Sequence, residues 1–377
     1  MIIRPGKPLD FRALTRDGEE NMIYHVYGSS YMGEYGGDGI YFMELNTDET
    51  TLRMITSYPE SSDQPSFLSV SRKYVYAVSE RAQGGAVTAF RRDPDSGELT
   101  KINRIETEGT AMCHLCLWKD GHFLSAANYM DGSLLVCRTG EGGRLDRISD
   151  FKRHKGIGFE SVLRQEGPHV HSTQVSADGR RLYAADLGLD QIFCYRILAG
   201  GRLEQGTQDM QIHTPGGMGP RHFVFSKDDR FLYVVAEMGN RIFAYRTDDG
   251  GITYQEIQNL STLPEGFSGF NIAADIHLSP DGQFLYASNR GANNIAAFAV
   301  SEETGVMRVL GHYGCNGEYP RNFCVTADGC FLLIANQKSG NIVLCERNIK
   351  TGEIGGKLAE VPVPQAVYVR AIEKERI

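Results

Sequence analysis

The stretch Gly167 to Arg196, GPHVHSTQVSADGRRLYAADLGLDQIFCYR, decides the fold. Apolar residues alternate from Val170 to Val175, and a turn falls at Ala177-Asp178-Gly179. A second run covers Arg181 to Ala185, a loop follows at Leu187 to Asp190, and a third run covers Gln191 to Arg196. Alternation with period two between Gly/Asp turns reads as three short strands in a meander, one unit of a repeat. The cassette returns at Pro220 to Arg246, Ala274 to Val300 and Pro320 to Glu346, and less regularly at Gln64 to Arg91 and Ala111 to Arg138.

One reference position closes the second strand of every copy: Glu80, Asn128, Asp186, Glu237, Asn289 and Asn336. The period is about 50 residues, which with three or four strands per unit is that of a propeller blade. Strands rich in Tyr, Phe, Val and Ile exclude helical repeats. Two ends remain. Met22 to Ser29 and Gly39 to Leu45 read as strands, and so does Ala366 to Ile372. Joined, they make one more blade and leave the sheets no open edge. The sequence therefore predicts an all-β, seven-bladed propeller of four-stranded antiparallel blades, closed by N- and C-terminal strands, in preference to six blades. One domain is expected across 1–377, with 1–21 an extension packed on the outside and 139–166 a long loop insertion.

The 377 residues carry a net charge of −8 and no dense Lys/Arg run, which disfavours a nucleic-acid or anionic membrane surface. The polar N-terminus lacks the apolar core of a signal peptide, so a cytoplasmic location is expected. Eight cysteines are scattered. Cys113 and Cys116 form a lone C-x-x-C inside a strand, read as packing and not as a zinc site. No metal or cofactor is expected, and the chain is read as a monomer or weak homo-oligomer.

Chemistry is expected where the first strand of each blade enters the ring. His114, His169 with His171, Arg221 with His222, Asp275 with His277, and Arg321 with Asn322 all stand at that position. Burying several cations together is costly without anions, so an anionic ligand or acidic partners such as Glu237 and Asp275 are implied. Residues two apart on a strand face the same way, as His169 and His171 do; adjacent residues oppose, so only one of Arg221 and His222 is expected to enter the channel. Arg290 follows the second strand of its blade. No G-x-S-x-G nucleophile motif and no phosphate-binding glycine loop is present.

Several fragments occur in blade order: Pro65-Ser66-Phe67-Leu68, Cys113-His114, Ala127-Asn128-Tyr129, Pro168-His169-Val170-His171-Ser172, Gly219-Pro220-Arg221-His222, Ser288-Asn289-Arg290-Gly291 and Pro320-Arg321-Asn322-Phe323. In these the chain resembles the seven-bladed propeller lactonases, the propeller type of 6-phosphogluconolactonase, together with the fungal carboxymuconate cyclase of the same fold. The resemblance implies hydrolysis of a sugar lactone at the channel mouth. Its site falls here on His171, Arg221, Glu237 and Arg290. His171 would be general base on water, Arg221 or His222 would stabilise the oxyanion, and Glu237 would orient a histidine or arginine. His169, His222, Arg290, Arg321, Asn322 and Asp275 are the expected substrate-binding residues, for a small anionic lactone or carboxylate. Asp275 stands where relatives often have Glu. The competing readings are a muconate-type cycloisomerase, metal-assisted hydrolysis at Glu80, Asn128, Asp186, Glu237 and Asn289, and a non-enzymatic binding propeller.

Overall fold

In the computed structural model, residues 22–59, 63–159 and 163–374 are described. The expected extension 1–21 lies outside them. Seven antiparallel sheets follow one another round a ring. Blade 1 joins the two ends of the chain: Ala366–Glu373 is its innermost strand, followed outward by Ile23–Ser30, Ile40–Asn46 and Thr51–Tyr58. The innermost strands of blades 2 to 7 are Leu68–Val70, Met112–Leu117, Val170–Val175, Pro220–Phe225, Ile272–Leu278 and Pro320–Val325. Side chains alternate along each strand, so both faces of a blade supply apolar residues to its neighbours. Seven buried clusters result, one at each junction between blades.

The expected insertion 139–166 is half regular. Leu145–Arg153 is the outer strand of blade 3, paired with Ser133–Thr139. Asp146, Arg147 and Arg153 face solvent while Leu145 is buried, a pattern that outer strands share with loops. The described residues 154–159 and 163–169 are irregular. Thr51–Tyr58, the outer strand of blade 1, escaped the sequence reading for the same reason. Blade 4 has a fifth strand: its outer strand Arg202–Gln205 stops early, and Ile212–His213 resumes the pairing with Gln191–Leu198. The Gln211 side chain fills the break, accepting from Cys194 N at 2.9 Å and donating to Gly206 O at 3.1 Å. No helix among the described residues is long and apolar enough to cross a membrane. All eight cysteines are free.

Adjacent blades are also latched by a repeated hydrogen bond. A tyrosine on the second strand of one blade donates to a glycine carbonyl in the outer turn of the next: Tyr27 to Gly97, Tyr76 to Gly143, Tyr183 to Gly251, Tyr233 to Gly305 and Tyr286 to Gly352, at 2.6–3.0 Å. Gly305 has φ +72°, and an added Cβ there would fall against the Phe231 ring. Gly282 has φ +78° with open space around it. Gly282→Ala should cost only the left-handed backbone penalty, about 1–2 kcal/mol. Gly305→Ala should cost about 2–4 kcal/mol, because overpacking adds to that penalty. Denaturant unfolding of the two variants checks this; equal losses would show that the Phe231 ring gives way without cost.

Candidate active site

The innermost strands run alongside one another down a central channel, and their entry ends carry an irregularity that the alternation does not show. Pairing with the second strand shifts register between Met112 and His114, Val170 and Ser172, Pro220 and His222, and Pro320 and Asn322. The skipped residues are Cys113, His171, Arg221 and Arg321, at one level of the ring. A bulge re-aims the side chain it displaces. The expectation that Arg221 and His222 oppose each other is therefore overturned: Arg221 Nη1 lies 3.4 Å from His222 Nε2, and both are buried. In blade 6 the shift spans Ala273 to Ile276 and turns Asp275 inward.

Glu237 lies at the centre of the mouth. It takes Arg164 Nη2 at 2.6 Å and Arg290 Nη2 at 3.0 Å on Oε1, and Arg221 Nε lies 2.9 Å from Oε2. Burial alone would raise its pKa, but Arg290, Arg221 and Arg164 outweigh that and hold it at about 2. Arg221 feels the reverse balance: burial, then the field of Arg290, bring it down to about 10. Across the mouth, Glu80 accepts from Tyr31 Oη at 3.0 Å and lies 4.0 Å from Arg321. Arg290 and Lys338 both approach the Tyr319 ring. Four arginines thus meet two carboxylates, and the excess of positive charge marks an anion site.

The histidines sort themselves by partner. His169 precedes its strand; its Nδ1 is 2.8 Å from Tyr129 O, its Nε2 is 3.3 Å from Glu166, and its ring stacks on Tyr129. His171 meets the same Tyr129 edge-on and lies over Cys113, whose thiol donates to His171 O at 3.3 Å. Burial, followed by the fields of Arg221, His222, Arg321 and Arg290, pushes the His171 pKa well below its ordinary value, so the ring is neutral at pH 7. Burial also pushes the Cys113 thiol up, which removes it as a nucleophile. His222 Nδ1 is 2.7 Å from Asp275 Oδ1, and His277 Nε2 is 2.9 Å from Asp275 Oδ2. Both ends of the Asn322 amide are engaged, Nδ2 to Asp275 Oδ2 at 2.5 Å and Oδ1 from Val369 N at 2.8 Å. Asp275 and Asn322 therefore sit behind His222, whereas Arg221, Arg290, Arg321 and His171 converge at the mouth.

A cavity of about 300 Å³ lies farther along the channel, past a waist at Phe67, His222 and Asn322. His114, Gln174, His277 and Arg370 line it. The arginine–glutamate cluster does not line it. The reference positions divide likewise. Asn128 bonds Ser133, Asp186 bonds His154, Asn289 bonds Thr262 and Asn336 bonds Cys315 O, each tying loop to loop. Glu80 and Glu237 alone in that set turn to the arginines. Among the described residues no cluster of three or more His, Cys, Asp or Glu is arranged to hold a metal ion.

Comparison with known proteins agrees with this geometry. A family model, lactonase, 7-bladed β-propeller, matches residues 25–371. The chain belongs to the seven-bladed β-propeller lactonases. A 6-phosphogluconolactonase of Formosa agariphila is 33% identical over 336 residues, 87% of this chain and 94% of that one. A 6-phosphogluconolactonase of Bacillus subtilis is 31% identical over 352 residues, 91% and 98% of the two chains. The periplasmic gluconolactonase of Pseudomonas aeruginosa superposes with a TM-score of 0.85 at 28% identity, covering 94% of this lactonase and all of that chain. Sequence reading placed the loops of Arg164 and Tyr31 near the lactonase mouth but assigned neither residue to the site. Both lie outside the regular strands, where no periodicity assigns a face; the signal for Arg164 was a charged residue in the insertion between Arg138 and Glu166.

Proposed function

We propose that this lactonase hydrolyses a sugar lactone at the channel mouth, and that 6-phosphogluconolactone is its substrate. The observation that carries the reading is the excess of arginine over carboxylate at that mouth. Arginine forks suit phosphate and carboxylate, and a buried guanidinium stabilises the oxyanion of an opening lactone. A neutral imidazole at the throat takes the proton of the attacking water. His171 is the residue that sequence reading assigned to this role, and the His222 ring centre stands 5.2 Å from that of His171. Glu237 stays ionised and holds the arginines in place. All of these groups come from one chain, in keeping with a monomer or weak homo-oligomer, and a phosphorylated substrate fits a cytoplasmic location.

The test is hydrolysis of freshly made 6-phosphogluconolactone and of gluconolactone, with and without chelator. Rapid turnover of the phosphorylated lactone, unchanged by chelator, is the expected result. Turnover of neither lactone would overturn the reading and leave a muconate-type lactone as the next substrate to try. Arg164 sharpens the test. Its side chain is 32% exposed, against 3% for Arg221 and 4% for Arg290, so it is the arginine of the Glu237 cluster best able to reach a phosphate. Loss of one charged hydrogen bond is worth about 1.5–3 kcal/mol. Arg164→Met should therefore raise KM for the phosphorylated lactone about 10- to 100-fold and change that for gluconolactone little. Equal effects on both lactones would remove Arg164 from phosphate recognition.

A further inference from the structure

We infer that His222, oriented by Asp275, is the general base of the reaction, a role the sequence assigned to His171. The inference rests on the lactonase reading but uses a different observation: the fixed proton arrangement behind one of the two imidazoles. Asp275 is 2% exposed and is hydrogen-bonded through both oxygens. Oδ1 takes His222 Nδ1 at 2.7 Å and Ile276 N at 3.0 Å; Oδ2 takes His277 Nε2 at 2.9 Å, Asn322 Nδ2 at 2.5 Å and Phe323 N at 3.3 Å. A carboxylate so surrounded is an acceptor only, so the proton of the neutral His222 ring sits on Nδ1 and the lone pair on Nε2. That Nε2 lies on the Arg221 side, and His222 lines the narrow throat together with Arg221, Arg321 and Cys113. His171 has no such support: among the described residues no carboxylate bonds its ring, and its Nδ1 has only the Cys113 sulfur, at 3.9 Å. An imidazole without a fixed tautomer offers its lone pair in the right direction only part of the time.

The step balances without a further reactant. Water oxygen attacks the lactone carbonyl carbon while His222 Nε2 takes a water proton, and the carbonyl π pair becomes an oxyanion facing Arg221. Collapse of the oxyanion breaks the ring C–O bond, and the departing alkoxide takes the proton back from His222 Nε2. The products are the open-chain hydroxyl and a carboxyl group that ionises to solvent. Asp275 touches no reacting atom and is a positioning residue, steadied by His277 and Asn322.

The titratable and charged groups that act on His222 are Arg221, Asp275, His277, His171 and His114, with the ring centres of the last two at 5.2 and 5.3 Å. Burial, then Arg221, bring its pKa to about 4 in spite of Asp275. The base is competent when unprotonated, so kcat/KM should stay flat from neutral pH to about 5 and fall below that, through about 4. His222→Asn and Asp275→Asn should each lower kcat about 10²- to 10⁴-fold with KM little changed. Asp275→Glu should recover part of the loss. The amide introduced by Asp275→Asn donates where the carboxylate accepts, and so reverses the ring tautomer. Nitrogen NMR of labelled histidine reads this directly and needs no substrate: His222 of the wild type should be protonated on Nδ1, and on Nε2 in Asp275→Asn. The inference is overturned if wild-type His222 carries its proton on Nε2, or if His171→Asn removes the acid limb of the rate profile while His222→Asn retains it. Failure of the wild type to hydrolyse either lactone would instead overturn the functional reading, leaving the tautomer result standing.

Discussion

Glu237→Gln is expected to lower kcat/KM for the lactone by at least about 10²-fold and to destabilise the fold by about 3–5 kcal/mol. The substitution keeps size and shape, so the effect isolates charge. Glu237 is 2% exposed and is the shared partner of Arg164, Arg221 and Arg290. Without its charge, three guanidinium groups would face one another in a space from which water is largely excluded. Breaking a buried pair costs more than the pair contributes, because an uncompensated charge stays behind. Relief would come from arginines swinging away, and these are the groups proposed to meet the oxyanion. Loss of kcat and loss of stability should therefore appear together, measured by steady-state hydrolysis and urea unfolding. Glu237→Asp keeps the charge but is shorter by one methylene, and should retain more stability than activity. The pH dependence has a definite sign. The folded pKa of about 2 lies below the ordinary 4.5, so the stability contributed by Glu237 is complete above about pH 4.5 and is lost as pH falls through about 2. The variant should lack that acid-side loss. Full activity in the Glu237→Gln enzyme would show that the arginines are held by something else.

How far the sequence carried this site depends on the range of the physics involved. Alternation and turn chemistry are local, so Val170 to Val175 and the turn at Asp178-Gly179 announce a blade wherever they occur. Convergence of His and Arg at the strand entries followed from that repeat alone, and it located the mouth. The facing of individual residues did not follow. A bulge at Arg221 is a property of its pairing with Phe231–Ala236, and it reverses the conclusion drawn from simple alternation. Asp275 lies 53 positions from His222, in the neighbouring blade, and looked like one more residue lining the mouth until the hydrogen bond placed it behind the ring. Arg164 sits on an irregular loop with φ +76°, where no period assigns a direction. Outer strands such as Leu145–Arg153 were hidden because one face meets water and the other is only partly covered, so their composition matches that of a loop.

The ring closure and the chemistry are joined through one strand, and its removal should have the largest effect on stability. Deleting 366–377 takes away Ala366–Glu373, which pairs with Ile23–Ser30 from Tyr24 opposite Glu373 to Ser30 opposite Ala366. It also strips Tyr368 from Phe67 and Val369 from the cluster that holds Tyr24 and Leu333. Each large apolar side chain uncovered costs about 1.5–3 kcal/mol. Ala366, Val367, Tyr368 and Val369 are all buried, so burial alone approaches the whole stability of a domain, about 5–15 kcal/mol. The deletion would leave a bare strand edge along blade 1, an invitation to pair with another chain. Aggregated protein with no cooperative unfolding is the expected result, read by soluble yield and size-exclusion chromatography; a monomeric product with the parent's unfolding midpoint would show that the ring does not need its closure. Val369→Pro is the finer instrument. It removes the N–H that Asn322 Oδ1 accepts at 2.8 Å, and that amide is one of the groups steadying Asp275. A blade-closing substitution should therefore lower lactone turnover in whatever fraction still folds, with KM little changed, because the strand that shuts the ring also carries the last support behind His222.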